Sequence, residues 1–146
     1  MPKLRIKCSK KPPLTLTRSR QWDKMKMAYI LVSDKSYKTD AGFRSRILYI
    51  GTTAKGGGRP AASAVNKASQ VFYKDRGRGV KRIEVYIVTC AGRQATKTWR
   101  HLEAALIHTF WNIHHQIPKY NKLKPGHVED MFSEKALEKI IQNLPD

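Results

Sequence analysis

Short apolar runs along the chain predict three β-strands. Residues 27–33 are apolar, partly β-branched and bounded by polar segments, which is typical of a strand. Residues 46–51 and 82–89 show the same short, β-rich pattern. The polar stretch 34–45 lies between the first two runs and predicts a long connecting loop.

The alternation within these runs predicts which side chains share a face. Side chains two residues apart point to the same side of a strand, so Leu48 and Ile50 are expected on one face of the second strand. Tyr29 and Tyr49 take the opposite faces of their strands and are expected to meet across a hairpin.

Three later segments carry helix signals. Pro60 suits the first position of a helix over 59–72, and Thr96 or Thr98 can cap a long helix that ends near residue 115. Ser133 can cap a last helix that ends near residue 143. The order β-β-α-β-α-α indicates an α+β fold, and no internal repeat is present.

The net charge is +18, from 29 Lys and Arg against 11 Asp and Glu, and a chain of 146 residues fits one domain. This excess attracts polyanions, which favours a nucleic acid over an anionic membrane, since no basic amphipathic helix with a broad apolar face stands out. No apolar stretch approaches a membrane span and the start is not a secretory signal, so we expect a cytoplasmic, nucleoid-associated protein.

The charge is unevenly distributed along the chain. Residues 1–27 hold nine basic residues against Asp23 alone, so 1–26 is expected to form a basic, partly flexible arm. Residues 127–146 carry five acidic residues against two lysines and are expected to face away from phosphates. Cys8 and Cys90 form no pair-spaced zinc motif.

Glu103 is the most informative single residue. It falls inside the apolar stripe of its helix, where an unpaired carboxylate is costly. It is therefore either half of a buried Glu–Arg pair or a ligand for a hard divalent cation, which often takes only one or two protein carboxylates.

Basic residues elsewhere suit phosphate binding. Arg59 follows three glycines and opens a helix, where backbone N–H groups and a guanidinium can hold a phosphate. A Gly-punctuated basic turn with Tyr73 can track a nucleic-acid backbone or be an ordinary solvated loop. The candidate nucleic-acid contacts are Lys55, Lys67, Lys74, Arg76, Arg78 and Lys81.

Together these elements resemble the GIY-YIG endonuclease family. Met27-Ala28-Tyr29 and Tyr49-Ile50-Gly51 are similar to the paired tripeptides of that family, and Arg59 follows Tyr49 by ten residues as the arginine of the family does. The helix around Glu103 and the segment Pro118-Lys119-Tyr120-Asn121 resemble its glutamate helix and closing segment. The resemblance spans residues 27–122, with 123–146 as a helical extension.

The resemblance implies a fold, a cofactor and roles. The fold is a small three-stranded antiparallel sheet flanked by helices. Tyr29 and Tyr49 would line the site and one of them would activate water, with Lys55 or Lys67 as possible assistants. Arg59 would hold the scissile phosphate, Glu103 would bind Mg²⁺ or Mn²⁺, and Asn121 would orient the site. The twenty-residue spacing of the tyrosines marks the loop between them as an insertion.

The sequence thus supports a metal-dependent DNA endonuclease that acts on duplex or branched DNA as a monomer or homodimer, in restriction, in a mobile element or in repair. A non-catalytic nucleic-acid-binding module on the same scaffold and an RNase are the alternatives.

Overall fold

The part of the chain that the structure describes folds as a four-stranded antiparallel sheet with three α-helices. A computed structural model describes residues 6–8, 28–52, 60–90, 98–129 and 131–143. The strands are β1 (Ile6–Cys8), β2 (Ala28–Lys38), β3 (Arg44–Thr52) and β4 (Ile83–Cys90), and the helices are α1 (Pro60–Asp75), α2 (Thr98–His114) and α3 (Glu134–Asn143). A short 3₁₀ helix, Arg76–Arg78, follows α1.

The strand order is β1-β4-β2-β3, and every neighbouring pair is antiparallel. The α+β class and the order β-β-α-β-α-α of the main elements are therefore confirmed, with β4-β2-β3 as the expected three-stranded sheet. Strand β1 adds a fourth strand from within the segment expected to be a basic arm, and it pairs with the outer edge of β4. Strand β3 forms the other edge of the sheet.

Two apolar clusters lie on opposite faces of the sheet. On one face, Ile30 and Val88 pack with Leu106 and Phe110 of α2 and with Ile141 of α3. On the other face, side chains of the same strands pack against the single helix α1. The members of this second cluster are Tyr29, Leu31, Leu48, Val71, Val85 and Ile87. The sheet thus lies between α1 on one face and α2 with α3 on the other.

A β-bulge in β3 changes the predicted facing of its side chains. Leu31 pairs with Tyr49, but the next residue, Val32, pairs with Ile47, so Leu48 is an extra residue in the ladder. Leu48 therefore packs in the cluster on the α1 side, whereas Ile50 packs against α2 and α3. The expectation that Leu48 and Ile50 share a face was wrong, because strict alternation does not survive a bulge.

The predicted long loop between the first two strands is instead a continuation of the hairpin. Strands β2 and β3 extend to Lys38 and Arg44, and the turn between them is closed by a Thr39 N–H donated to the Phe43 carbonyl at 2.8 Å. Gly42 has φ 92° there, a conformation that disfavours other residues. The polar segment 34–45 thus forms a paired hairpin, and its tip is bound to the end of α2 by the Ala41 N–H, which donates to the His114 carbonyl at 3.0 Å.

No helix in these ranges is both long and apolar enough to cross a lipid bilayer.

Candidate functional site

A cleft of about 770 Å³ opens where the start of β2 and the end of β3 meet α1, α2 and the segment 120–123. The lining includes residues from all five elements. The polar and charged side chains of the lining include Tyr29, Tyr49, Lys67, Arg100, Glu103 and Asn121. The structure thus brings four of the five proposed catalytic residues to one cleft. The fifth, Arg59, lies outside the described residues, as does Lys55.

The two tyrosines meet because of the strand register. Tyr29 pairs with Gly51 and Leu31 pairs with Tyr49, so the phenol side chains are diagonal neighbours on one face of the sheet. Their ring centroids are 5.9 Å apart, with planes inclined at 41°. Tyr29 is buried and Tyr49 is half-buried, so Tyr49 is the phenol more open to solvent.

The pKa values of both phenols lie above the usual value. Burial is the main cause for Tyr29, and the charges of Tyr49 and Glu103 and a hydrogen bond to Tyr49 raise the pKa further. Burial and the charge of Glu103 raise the pKa of Tyr49, but the hydrogen bond with Tyr29 lowers it. Burial and the Glu103 carboxylate thus favour the protonated form of both phenols, whereas the hydrogen bond with Tyr29 favours the ionised form of Tyr49.

Gly51 permits the close approach of the two rings. A Cβ built on Gly51 would lie 2.6 Å from Cε1 of Tyr49 and 2.8 Å from the hydroxyl of Tyr29. Such distances are far inside van der Waals contact, so any other residue would displace at least one ring. The glycine of the second tripeptide thus has a packing reason in this chain.

Glu103 lies on the cleft-facing side of α2. Arg100, Glu103 and Ile107 line the cleft at helical spacing, while Leu102 and Leu106 are fully buried on the core side. Glu103 is half-buried, at the edge of the apolar stripe. Its negative charge raises the pKa of both phenols, so the carboxylate lies close enough to the two tyrosines to affect their ionisation.

Lys67 of α1 faces Glu103 and the tyrosines from the opposite wall. Its Nζ lies 4.6 Å from the centroid of the Tyr49 ring, a cation–π distance. The cleft therefore combines cationic groups from α1 and α2 with one carboxylate and two phenols, which suits a bound anion accompanied by a cation.

Asn121 uses both ends of its amide to bind the edge strand. Its Oδ1 accepts from the Ile50 N–H and its Nδ2 donates to the Ile50 carbonyl, each at 2.9 Å. The Tyr120 N–H also donates to the Leu48 carbonyl at 2.9 Å. Since both amide groups are engaged with β3, Asn121 positions the segment 118–122 and the backbone that carries Tyr49.

Sequence reasoning missed the hub around Asp75, at the end of α1. This carboxylate is buried and accepts hydrogen bonds from Arg78 at 2.9 and 2.6 Å, from Lys119 at 2.9 Å and from the Tyr120 hydroxyl at 2.6 Å. Burial alone raises its pKa, but these hydrogen bonds outweigh burial and lower the pKa to about 2. The signal available in the sequence was that Asp75 is the single acidic residue in the basic segment 74–81, which indicates that it pairs with neighbouring cations.

Arg78 is thereby engaged within the protein rather than presented as a phosphate contact. Its guanidinium binds Asp75 and also donates to the Ser36 carbonyl at 3.2 Å, which joins the turn after α1 to the β2–β3 hairpin. Lys74, Arg76 and Lys81 are exposed, as nucleic-acid contacts require. Arg76 lies over the Tyr73 ring at 3.7 Å.

The donor groups of the cleft fit a hydrated divalent cation held by one carboxylate. Within the described ranges no three His, Cys, Asp or Glu side chains are grouped as a metal cage. Glu103 supplies one hard anionic ligand beside an open polar cleft, and Mg²⁺ commonly takes one or two carboxylates and completes its shell with water and phosphate oxygens.

Comparison of the chain with protein-family models, with curated proteins and with solved structures found no match in any of the three.

Proposed function

We propose that this protein is a divalent-metal-dependent DNA endonuclease whose active site is the cleft between α1, α2 and the β2–β3 edge. The observation that carries the proposal is the meeting of Tyr29, Tyr49, Lys67 and Glu103 at that cleft. These residues come from four separate elements. The net charge of +18 attracts a polyanion to the protein and so favours a nucleic acid as the substrate of the cleft. The resemblance to GIY-YIG nucleases points to three of these residues, Tyr29, Tyr49 and Glu103.

The substrate phosphate is bound by cationic side chains in this proposal. Lys67 and Arg100 lie on opposing walls of the cleft, on α1 and α2, and their charges favour a phosphodiester between them. Arg59 is proposed as the group that forks onto the scissile phosphate, on the resemblance alone. Exposed Lys74, Arg76 and Lys81 extend the positive surface at and beyond the end of α1.

Tyr49 is the proposed group at the attacking water. It is the more exposed phenol, its hydrogen bond with Tyr29 lowers its pKa, and the Lys67 ammonium lies over its ring. Each of these features favours a phenolate, whereas burial and Glu103 oppose it. Positive charge that neutralises Glu103 would therefore lower the pKa of Tyr49 and increase the fraction present as phenolate, the form that can accept a proton from water.

In the proposed reaction, the oxygen of water forms a bond to phosphorus as the bond between phosphorus and the leaving oxygen breaks. The proton of water passes to the phenolate oxygen of Tyr49. Glu103 is the proposed ligand for Mg²⁺ or Mn²⁺, which when bound would stabilise negative charge on the phosphate and leaving oxygens. Asn121 acts through position only, since its amide is engaged with Ile50.

Plasmid cleavage in Mg²⁺ or Mn²⁺ tests the proposal. We expect Glu103→Gln to lower the rate by about 10²–10³-fold, the usual scale for removal of one charge-stabilising group, with DNA binding retained. Glu138→Gln makes the same chemical change on α3, outside the cleft, and is expected to leave cleavage unchanged. Arg59→Ala is expected to reduce cleavage similarly.

Other outcomes would redirect the proposal. Binding without cleavage of duplex, single-stranded or branched DNA would replace the enzyme with a nucleic-acid-binding module. Preferential cleavage of RNA would make it an RNase. If cleavage occurs, sequencing of the product ends would separate a restriction-type enzyme, which cuts one repeated site, from a nuclease that cuts at scattered positions.

A further inference from the structure

The cleft continues on the α2 side into an exposed surface of aromatic, apolar and basic side chains. On α2, Arg100, Glu103 and Ile107 line the cleft, and Trp111 is the next residue of this helical stripe. Trp111 is 37% exposed, so more than a third of this large aromatic residue meets solvent. The stripe thus carries an aromatic ring out of the cleft toward solvent.

The neighbouring segment supplies the other half of this surface. Lys122 and Leu123 line the cleft, and Leu123 is 81% exposed, the most exposed large apolar side chain in the described part of the chain. The next residue, Lys124, places its Nζ 3.3 Å from the centroid of the Trp111 ring. Lys124 thus joins Trp111 to the cleft-lining Leu123 that precedes it in the chain, and we call these three residues the exit surface.

We propose that the exit surface binds an unpaired nucleic-acid strand that leaves the cleft, by stacking a base on Trp111 and contacting phosphates with Lys122 and Lys124. An aromatic ring beside cations is the arrangement with which proteins bind single strands, because every base has a face to stack and every nucleotide has a phosphate. A duplex keeps its base faces covered, so an exposed ring and Leu123 would gain little from it.

Charge supports this occupant over an apolar protein segment. Lys124 lies against Trp111, Lys122 is exposed two residues before Lys124, and the acidic residue of α2, Glu103, lies inside the cleft. The Lys124 side chain is exposed and has a flexible stem, so its ammonium can leave the indole for a phosphate when a base takes its place.

This inference rests on the proposed nucleic-acid function, but its test does not require cleavage. Binding is measured by fluorescence anisotropy in EDTA with a labelled oligothymidylate and with an abasic strand of equal length, which keeps the phosphates and removes the bases. We expect the wild-type protein to bind the abasic strand about 5- to 150-fold more weakly for one stacked base.

Substitutions then locate the stacking site. Trp111→Leu keeps apolar bulk and is expected to bring the ratio of the two Kd values close to one, whereas Trp111→Phe keeps a ring and most of the ratio. Phe72→Leu is the matched control, since Phe72 is 38% exposed and lies on the side of α1 opposite the cleft-lining Gln70. Lys124→Gln is expected to weaken both strands by a similar factor.

Equal binding of both strands by the wild-type protein, or an unchanged ratio in Trp111→Leu, would overturn the inference, even for a protein that cleaves DNA. If the wild-type protein binds the base-containing strand more tightly and Trp111→Leu does not, the inference is supported even if the protein cleaves nothing. In that case only the nuclease proposal would be wrong. Because the wild-type comparison and Trp111→Phe stand by themselves, the inference does not depend on the folding of one variant.

Discussion

The substitution Asp75→Asn tests whether one buried carboxylate holds the segment 118–122 against α1. The side chain of Asp75 is fully buried, whereas those of Arg78 and Lys119 are 26% and 34% exposed. The substitution removes the negative charge between Arg78 and Lys119, which are both partly exposed to water. It also places the amide N–H₂ of asparagine beside side chains that are themselves hydrogen-bond donors. The variant should therefore be less stable, without the full penalty of an isolated buried charge.

The pKa of Asp75 sets the magnitude. It falls from 3.8 to about 2 in the folded protein, and each unit corresponds to about 1.4 kcal/mol, so the ionised carboxylate stabilises the fold by about 2 kcal/mol. Because the folded pKa is the lower one, this stabilisation is present above about pH 4 and is lost as the pH falls toward 2. Asp75→Asn should lack this loss.

Urea denaturation of both proteins from pH 7 to pH 2 measures the effect. At pH 7 we expect Asp75→Asn to unfold with a free energy about 2 kcal/mol lower than that of the wild-type protein, and the difference should shrink toward acid pH. Asp40→Asn changes an exposed carboxylate in the hairpin turn and should stay within about 0.5 kcal/mol. A pH-independent difference, or none at pH 7, would refute the role assigned to Asp75.

Three further predictions concern the cleft and its surface. Gly51→Ala should separate the rings of Tyr29 and Tyr49, cost about 1–3 kcal/mol in unfolding free energy and reduce plasmid cleavage while DNA binding persists; unchanged cleavage would contradict the need for close rings. Asn121→Asp keeps the acceptor for the Ile50 N–H but removes the donor to its carbonyl, so we expect a loss of about 1–3 kcal/mol, measured by thermal or urea unfolding. Asn121→Asp as stable as the wild-type protein would exclude a positioning role. DNA affinity should fall about 100-fold or more between about 50 and 200 mM salt, as expected when several phosphates are neutralised, and a flat response in filter binding would exclude an electrostatic interface.

Local sequence was sufficient for the elements of the fold. The strands around Ile30, Ile50 and Val85 and the helices after Pro60 and Ser133 follow from apolar periodicity, proline placement and capping residues, which act over a few neighbouring positions. The same patterns place Glu103 inside the apolar stripe of its helix, and the structure places it at the edge of that stripe. Net charge is likewise a property of composition, so the attraction to polyanions needs no tertiary structure.

Tertiary structure decided the contacts between distant residues. The bulge at Leu48 reverses the facing of one side chain, and it depends on how β3 pairs with β2 rather than on the residues of β3 alone. Asp75 binds Lys119 and Tyr120, which lie more than forty positions away in the sequence. Only the folded structure shows that Arg78 is a partner of Asp75 whereas Arg76 is an exposed cation. Register and long-range hydrogen bonds are set by the packing of whole elements, and that is why the cleft exists only in the folded chain.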